Sequence, residues 1–360
     1  MSRLAGVGGV KVFVGMSGGV DSSVTAALLK QQGYDVTGVY MKNWSKDLPG
    51  FPCPWKEDYQ DAKRVAVELG IDFKMFDFEK DYFDKVVEYM LDGFKAGITP
   101  NPDIMCNQEI KFKLFLDTAL EQGADLIATG HYAKVMHGEL HMAKDDNKDQ
   151  TYFLYRITEE ALSKTLFPLG DYTKPEVREL AKKMKLATAT KKESMGICFV
   201  GKVGIKEFLQ QYVESAPGKI IDQKGKVVGQ HDGAIFYTIG QRQGLNVGGG
   251  LPYYVTGKDM GKNEVYVTND LNDKQLWSQE LVLTSVHWIN NQPKDIKNLA
   301  VRTRHRAALV PVIKITHQKN GDIKLVLKNE IKALTPGQSA VLYQDNICLG
   351  GGIITQLARA

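Results

Sequence analysis

Over its first 130 residues, the chain alternates between short apolar runs and longer segments in which apolar residues recur three or four positions apart. The first pattern is typical of buried strands and the second of amphipathic helices. Strands are predicted at residues 10–14, 35–41, 71–78 and 125–129, and helices at residues 24–30, 57–69, 82–94 and 110–120. This alternation predicts an α/β fold with a Rossmann-like parallel sheet, in which ligands bind beyond the carboxyl ends of the strands.

The pattern changes in the second half of the chain. Residues 155–212 are charged and mostly helical in pattern, whereas frequent turn signals beyond Gly218 separate short strands, one of them predicted at residues 234–239. A second series of short strands begins near residue 281, and its spacing predicts a small β-barrel. We therefore expect an N-terminal α/β domain over residues 1–213, a central β-rich domain over residues 214–275 and a C-terminal β-barrel over residues 276–360.

Composition narrows the class of protein. The 360 residues are 43% hydrophobic and 24% charged, which is ordinary for a globular protein with two or three domains. No apolar run approaches the ~18 residues of a membrane span, and the N-terminus lacks a signal-peptide pattern, so we expect a cytoplasmic protein. The net charge of +4 permits a nucleic-acid partner but does not require one.

A glycine-rich segment, Gly15–Ser23, joins the first predicted strand to the first predicted helix. Its glycines let backbone N–H groups approach an anion, and its serines add hydroxyl donors next to a helix N-terminus, so the segment is predicted to bind phosphate. A tight turn without a ligand is the alternative. The segment lacks the lysine of a P-loop and the spacing of a dinucleotide fingerprint. Its S-G-G-x-D-S sequence resembles the PP-loop of the ATP pyrophosphatases, which bind the pyrophosphate of ATP and transfer AMP to a substrate oxygen.

The four cysteines include no C-x-x-C pair, which argues against a disulfide scaffold or a zinc ribbon, and no metal site is predicted. Cys106 lies near the start of a predicted helix, where the dipole lowers the pKa of a thiol, and Asp103 could act beside it as an acid or a base. Cys198 lies between two glycines in a predicted loop. Either cysteine could equally be a small buried hydrophobe, and Cys53 and Cys348 are interpreted in that way.

Two polar segments are candidates for contact with nucleic acid. In residues 301–306 arginine alternates with other residues, so a strand here would place Arg302, Arg304 and Arg306 on one face, where they could bind a phosphate backbone. An edge strand protected by charge is the alternative. Residues 147–150 offer groups that could bind phosphates or bases, or could simply begin a solvated helix.

Taken together, the motifs resemble those of the bacterial tRNA-specific 2-thiouridylases. The matching segments are residues 15–23, 41–44, 99–107, 128–132, 147–150, 196–199, 240–242, 335–338 and 348–352. The PP-loop alone indicates only a superfamily, whereas the two cysteine motifs indicate this family, and the similarity extends from about residue 11 to the end. It implies an N-terminal domain like the adenine nucleotide α-hydrolases, a small central domain and a β-barrel that binds tRNA.

The resemblance also implies a reaction. The C2 carbonyl oxygen of a wobble uridine attacks the α-phosphate of ATP, bound with Mg²⁺, and the adenylated base then takes sulfur from a persulfide on Cys198. A sulfur-relay protein or a cysteine desulfurase supplies that persulfide, Cys106 releases its outer sulfur and forms a disulfide with Cys198, and Asp103 is the acid or base. The enzyme is expected to act as a monomer.

The resemblance assigns further residues to the two substrates. The residues implied to bind ATP are Gly15, Met16, Ser17, Gly18, Gly19, Val20, Asp21, Ser22, Met41 and Gly130. The residues implied to contact tRNA, with the target base flipped out of the anticodon stack, are Asn101, Pro102, Asp103, His131, Lys148, Asp149, Gln150, Arg304, His305 and Gln338.

Two other functions stay open. A PP-loop ligase or amidase acting on a small molecule would need neither Cys106 nor Cys198 nor the arginines. An RNA-binding protein that retains only the nucleotide fold would bind tRNA without releasing pyrophosphate.

Overall fold

The computed structural model describes residues 8–192, 203–245, 247–248, 250 and 252–355. Its first seven strands are β1 (Lys11–Gly15), β2 (Asp35–Lys42), β3 (Asp72–Asp77), β4 (Leu126–Ala128), β5 (Lys134–Met136), β6 (Glu139–His141) and β7 (Thr165–Leu166). Five of them form a parallel sheet in the order β3-β2-β1-β4-β7. The predicted parallel sheet is confirmed. Its last strand, β7, was not predicted and lies in the region expected to be mostly helical. A strand of two residues is too short to show a pattern of apolar positions.

The described residues contain ten α-helical segments. They are α1 (Val20–Gln31), α2 (Trp55–Leu69), α3 (Glu79–Tyr82), α4 (Glu88–Lys95), α5 (Pro102–Met105), α6 (Phe115–Glu121), α7 (Thr151–Leu154), α8 (Glu159–Ser163), α9 (Lys174–Lys183) and α10 (Ile205–Leu209). π-helical turns join α3 to α4 over Phe83–Val87 and α5 to α6 over Cys106–Leu114. Within the described ranges, no helix has the length and apolar character needed to cross a bilayer.

The helix predicted at residues 110–120 begins earlier, at Pro102. The side chain of Asn101 caps it by accepting hydrogen bonds from the backbone N–H groups of Asp103 and Ile104, at 3.2 and 3.3 Å. Proline in the first turn costs no hydrogen bond and presets the helical backbone. Asp103 therefore lies in the first turn of this helix and Cys106 in the second.

Hydrophobic residues pack on both faces of the parallel sheet. On one face, Val14 and Met16 pack with Val24 of α1 and Val177 of α9. On the other, residues of β2 and β3 pack against the helix over residues 102–121, including Cys106 and Phe115. The helix α1 after the glycine-rich loop and the helix that carries Cys106 therefore lie on opposite faces of the sheet.

A smaller sheet follows, with strands β8 (Gly218–Asp222), β9 (Val227–His231), β10 (Tyr254–Asp259) and β11 (Glu264–Thr268) in the order β10-β11-β8-β9. The strand predicted at residues 234–239 is wrong, because residues Ala234–Phe236 form a 3₁₀ helix. This turn buries Ala234, and Tyr237 after it, in the hydrophobic core of the small sheet, whereas Ile235 is buried in the cluster that contains Cys106. The apolar run is thus buried without pairing in a ladder.

The C-terminal strands are β12 (Trp277–Trp288), β13 (Leu299–Arg302), β14 (Val310–His317), β15 (Ile323–Lys332), β16 (Ser339–Gln344) and β17 (Ile347–Ile354). They are ordered β12-β15-β14-β13-β16-β17, and β17 pairs again with β12, which closes the predicted barrel. The hairpin β5–β6 pairs with β17 through Leu140 and Cys348. A segment of the N-terminal half, which was not predicted to form strands, therefore extends the barrel sheet.

Candidate functional site: a basic cavity between the glycine-rich loop and the barrel

The glycine-rich segment forms a loop between β1 and α1. Gly18 has a φ of +72°, and a side chain there would clash with the backbone carbonyl of Asp58, so only glycine fits. The hydroxyl of Ser22 accepts a hydrogen bond from the backbone N–H of Ser17 at 3.2 Å and fixes the loop from inside. Gly19 is the N-cap of α1 and has no side chain to bond the first-turn N–H groups, which leaves these donors to an anion.

Asp21, in the first turn of α1, connects this loop to two other segments. Lys174 donates hydrogen bonds to both carboxylate oxygens of Asp21, at 2.7 and 2.8 Å, and Tyr132 donates its hydroxyl at 2.9 Å. Gly130 lies so close to the backbone of α1 that a Cβ would be 2.9 Å from the amide nitrogen of Ser22. The structure thus brings Gly130 and the loop together.

A cavity of about 280 Å³ opens beside the loop. It is lined by Ser17, Gly19, Val20, Asp21, Tyr132, Lys148, Gln150, Lys174, Lys192, His305 and Arg306. Four of these side chains are cationic and one is a carboxylate, so the cavity favours an anionic ligand. It joins loop residues implied to bind ATP with Lys148, Gln150 and His305, which were implied to contact tRNA.

Three lining residues were assigned to neither substrate: Tyr132, Lys174 and Lys192. The fourth cation, Arg306, was predicted only as part of an arginine strand that binds nucleic acid. A signal existed for Lys174, because Thr173 and Glu176 form a capping box that places it at the start of α9. Tyr132 lies in the matching segment over residues 128–132, of which only Gly130 and His131 were predicted as site residues. Lys192 follows Lys191, which is anchored to Asp58 and Asp61 at 2.7 and 2.6 Å.

Met16 and Met41 lie below the loop and not in the cavity. Both side chains are buried, and the methyl of Met41 lies 3.0 Å from where a Cβ of Gly15 would be. A ligand above the sheet edge would therefore contact these residues through their backbones.

Asn101, Pro102 and Asp103 follow Thr99, which contacts the barrel and a residue beside the small sheet. The backbone N–H of Thr99 donates to the carbonyl of Pro336 in the barrel at 2.9 Å, and its hydroxyl lies 3.2 Å from that of Thr238 beside the small sheet. Gln338 donates to the carbonyl of Thr99 at 2.8 Å. Gln338 thus fastens the start of the Cys106 helix to the barrel.

Cys106 is completely buried. It packs in the hydrophobic cluster between the parallel sheet and the helix over residues 102–121. The side-chain amide of Asn107, the next residue, donates a hydrogen bond to the carbonyl of Phe153 at 3.0 Å. Cys198, the second predicted catalytic thiol, lies outside the described residues, and so does its predicted disulfide with Cys106. Cys53 and Cys348 are unpaired thiols, and burial raises the pKa of both.

His131 is buried below the cavity and is held at both ring nitrogens. Nε2 lies 3.5 Å from the ammonium of Lys111 and Nδ1 lies 2.8 Å from the hydroxyl of Thr129. Because an ammonium can only donate, Nε2 is the acceptor and Nδ1 carries the proton. Burial, and then the nearby Lys111 charge, hold the pKa of His131 well below its ordinary value, so the ring is neutral.

In the segment over residues 148–150, Lys148 and Gln150 line the cavity, whereas the side chain between them lies in the protein interior. Asp149 is buried, pairs with Arg302 at 2.9 Å and accepts the hydroxyl of Thr151 at 2.8 Å. Gln150 accepts a hydrogen bond from the backbone N–H of Tyr132 at 2.9 Å. The structure therefore gives the side chain of Asp149 a supporting role inside the protein, whereas Lys148 lines the cavity. The predicted contact of both residues with tRNA stays a prediction.

The predicted arginine strand is wrong, because β13 ends at Arg302 and a turn follows. Arg302 is buried against Asp149. Arg304 donates through Nη2 to the carbonyl of Ala333 at 2.7 Å and to the hydroxyl of Thr335 at 3.1 Å. The chain turns because Ala307 donates its N–H to the carbonyl of Arg304 at 3.1 Å, so the three arginines cannot share one face.

His305 lines the cavity from this turn. Its ring packs on that of Phe153, with centroids 4.6 Å apart, and its Nδ1 is buried without a hydrogen-bond partner among the described residues. Burial, and then the charge of Arg306, lower the pKa of His305. The ring therefore lines the cavity as an uncharged aromatic group, with one nitrogen that lacks a hydrogen-bond partner among the described residues.

Comparison with known proteins gives three family matches. Residues 10–202 match the model described as "tRNA methyl transferase HUP domain", residues 206–269 the "tRNA methyl transferase PRC-barrel domain" and residues 278–354 the "Aminomethyltransferase beta-barrel domain". These matches follow the order of the three sheets.

Similar curated proteins bear the name tRNA-specific 2-thiouridylase MnmA. The one from Idiomarina loihiensis is 48% identical over 357 residues, which cover 96% of each chain. The one from Bacillus subtilis (strain 168) is 47% identical over 356 residues, or 97% of this chain and 96% of the relative. Among solved structures, a 4-thiouridine synthetase in complex with RNA and ATP is 18% identical, with a TM-score of 0.34, over 56% of this chain and 50% of that one.

Proposed function

Because the chain belongs to the tRNA-specific 2-thiouridylase MnmA family, we propose that it uses ATP to replace the C2 oxygen of a wobble uridine in tRNA by sulfur. The observation that carries the proposal is the basic cavity. It combines the glycine-rich loop, suited to a polyphosphate, with Lys148, Gln150 and His305 from segments outside that loop. Of these three residues, His305 belongs to the turn that follows β13 of the barrel.

In the proposed first step, ATP lies with its phosphates on the first-turn N–H groups of α1 and the hydroxyl of Ser17. The uracil O2 forms a bond to the α-phosphorus, and the bond from that phosphorus to the bridging oxygen breaks, with its electron pair leaving on pyrophosphate. The N3 proton of uracil becomes acidic as O2 is phosphorylated, and Asp103 accepts it. This step converts a poor leaving group, a carbonyl oxygen, into AMP.

In the proposed second step, Cys198 carries a persulfide delivered by a sulfur-relay protein or a cysteine desulfurase. The Cys106 thiolate attacks the inner sulfur, which forms a Cys106–Cys198 disulfide and releases the outer sulfur as hydrosulfide. Hydrosulfide adds to C2, AMP leaves with the original O2 and with the proton of the hydrosulfide on its phosphate, and Asp103 returns its own proton to N3. A thiol reductant then restores both cysteines.

The side chains around the cavity indicate how the proposed Mg²⁺ would be held. The described residues contain no group of three or more His, Cys, Asp or Glu side chains able to hold a metal ion. Asp21, the one carboxylate in the cavity wall, is paired with Lys174. A Mg²⁺ ion that enters with ATP would therefore take most of its ligands from phosphates and water, where it neutralises the triphosphate.

One experiment separates this function from its alternatives. The protein is incubated with ATP, a sulfide source and an unmodified tRNA transcript, and both pyrophosphate and 2-thiouridine are measured. The proposal predicts tRNA-dependent release of both products. Pyrophosphate release without any need for tRNA would favour a small-molecule ligase, and tRNA binding without pyrophosphate release would favour a binding protein.

Cysteine variants test the sulfur step. With a protein persulfide donor, Cys198→Ala and Cys106→Ala are expected to abolish 2-thiouridine while tRNA-dependent pyrophosphate release persists, because adenylation precedes sulfur transfer. Cys53→Ala is the matched control and is expected to keep both. Full sulfur transfer by Cys198→Ala would contradict the role proposed for that residue.

A further inference from the structure

Arg302, Arg304 and Arg306 have three different environments. Arg302 pairs with Asp149, and Arg304 is held by backbone and hydroxyl acceptors of the barrel. Arg306 is exposed, lines the cavity and makes no hydrogen bond or ion pair with the part of the chain that the structure describes. Of these three guanidiniums, that of Arg306 is the one without a hydrogen bond to the described residues, whereas Arg304 is bound through Nη2.

The backbone of Arg306 is also strained. Its φ is +63°, in the left-handed region that residues other than Gly, Asn and Asp rarely adopt. It lies in the turn between β13 and β14, closed by the hydrogen bond from Ala307 to Arg304. A glycine would meet this conformation without strain, so an arginine here suggests a use for its side chain.

Other residues of the cavity wall identify the class of ligand. They include Ser17, Gly19 and Val20, at the N-terminus of the twelve-residue helix α1. Lys148 and Lys192 line the same cavity. A polyphosphate that binds the helix N-terminus would therefore lie in the cavity that Arg306 also lines.

We propose that Arg306 binds the terminal phosphates of ATP, so that the barrel completes the ATP site. This inference rests on the proposed function and extends it. As the bond between the α-phosphorus and the bridging oxygen breaks, negative charge develops on the departing pyrophosphate, and the guanidinium stabilises it while keeping its own proton. A barrel that also binds tRNA would thereby couple the position of the tRNA to the cleavage of ATP.

The test variants are Arg306→Gly, which keeps the left-handed backbone and removes the guanidinium, and Arg306→Lys, which keeps the charge. For Arg306→Gly we expect weaker binding of ATP measured without tRNA, by about tenfold, and tRNA-dependent pyrophosphate release slower by on the order of 10²–10³-fold. Arg306→Lys should recover part of both. The melting temperature of the glycine variant should be unchanged or higher, because the strain is relieved.

Lys185→Gly is the matched control. Lys185 is also an exposed cation with positive φ, at +56°, but it follows the far end of α9, about 15 Å from Lys174. This control should leave ATP binding and pyrophosphate release unchanged.

The outcomes are distinguishable. Weaker tRNA binding by Arg306→Gly with unchanged ATP binding and pyrophosphate release would overturn the inference and assign Arg306 to the RNA backbone. No change in any of these quantities would make Arg306 a solvated surface residue. If the unaltered protein binds ATP but forms no 2-thiouridine, the proposed function fails, while the direct binding comparison still tests Arg306.

Discussion

Arg302 and Asp149 lie 153 positions apart in the chain and form an ion pair of 2.9 Å inside the protein. The side chain of Asp149 is fully buried and that of Arg302 is 9% exposed. The pair joins the end of β13 to the segment that carries Lys148 and Gln150, and so fixes one wall of the cavity to the barrel.

Replacing one partner of this pair is expected to be costly. Arg302→Met leaves the carboxylate of Asp149 buried without its counter-charge, so the free energy of unfolding should fall by about 3–5 kcal/mol. Chemical denaturation measures it. As the control, Lys182→Ala breaks the exposed pair with Glu179, whose side chains are 58% and 59% exposed, and should cost no more than about 0.5 kcal/mol. Similar small costs for both variants would refute a structural role for the buried pair.

Lys174 is expected to neutralise the negative charge of Asp21, so that an anionic ligand can bind beside it. Lys174→Met leaves a carboxylate beside the phosphates, and its repulsion should raise the KM for ATP on the order of tenfold or more. Adding Asp21→Asn in the same chain removes that repulsion and should lower the KM again. Steady-state pyrophosphate release measures both, and a double variant no better than Lys174→Met alone would show that Lys174 acts in another way.

Stability should fall in mildly acidic solution because of His131. Its pKa is lowered in the folded protein, so below its ordinary value of 6.5 the unfolded chain binds a proton that the folded chain excludes, and acid favours unfolding. The denaturation midpoint should decrease from about pH 7.5 to about pH 5.5, and the decrease should be smaller in His131→Gln. His137→Gln, at an exposed site, controls for loss of a histidine. An equal decrease in all three proteins would contradict this assignment.

Asn43 is expected to contribute nothing to stability through its amide. It is 1% exposed, and neither its oxygen nor its nitrogen has a hydrogen-bond partner among the described residues. Asn43→Leu should therefore leave the free energy of unfolding unchanged or increase it, because an unsatisfied buried amide is replaced by an apolar side chain of similar size. Asn107→Leu, which loses a bond to the carbonyl of Phe153, should cost about 1–3 kcal/mol. A comparable loss in Asn43→Leu would reveal a partner for its amide.

The parallel sheet and the loop at Gly18 were predictable because their signals are local: apolar runs, helical spacing and glycines within a few residues. The cap at Asn101 was equally local, although the helix start was placed too late. The arginine row failed because the partner of Arg302 is far away in sequence, and alternation alone cannot show that a side chain is consumed by an ion pair. The same limit hid the hairpin β5–β6, whose partner strand β17 is some two hundred residues further along.

The sequence indicated which types of residue form the candidate site, but not how those residues come together in space. The loop and residues 148–150 were identified from residue type. The pairing of Lys174 with Asp21 depends on how α9 packs, and the presence of Arg306 in the same cavity as the loop depends on how the turn after β13 packs. Resemblance supplied the roles of Cys106 and Cys198, which burial and spacing alone do not reveal.

In the proposed reaction, the C2 oxygen of uracil is adenylated and leaves as part of AMP. This proposal is tested most directly by a tRNA whose wobble uridine carries ¹⁸O at C2, incubated with the protein, ATP and a sulfur donor. Mass spectrometry of the products should find the label in the phosphate of AMP, with one 2-thiouridine formed for each labelled AMP. Label in inorganic phosphate or pyrophosphate, or 2-thiouridine formed with unlabelled AMP, would contradict adenylation at O2.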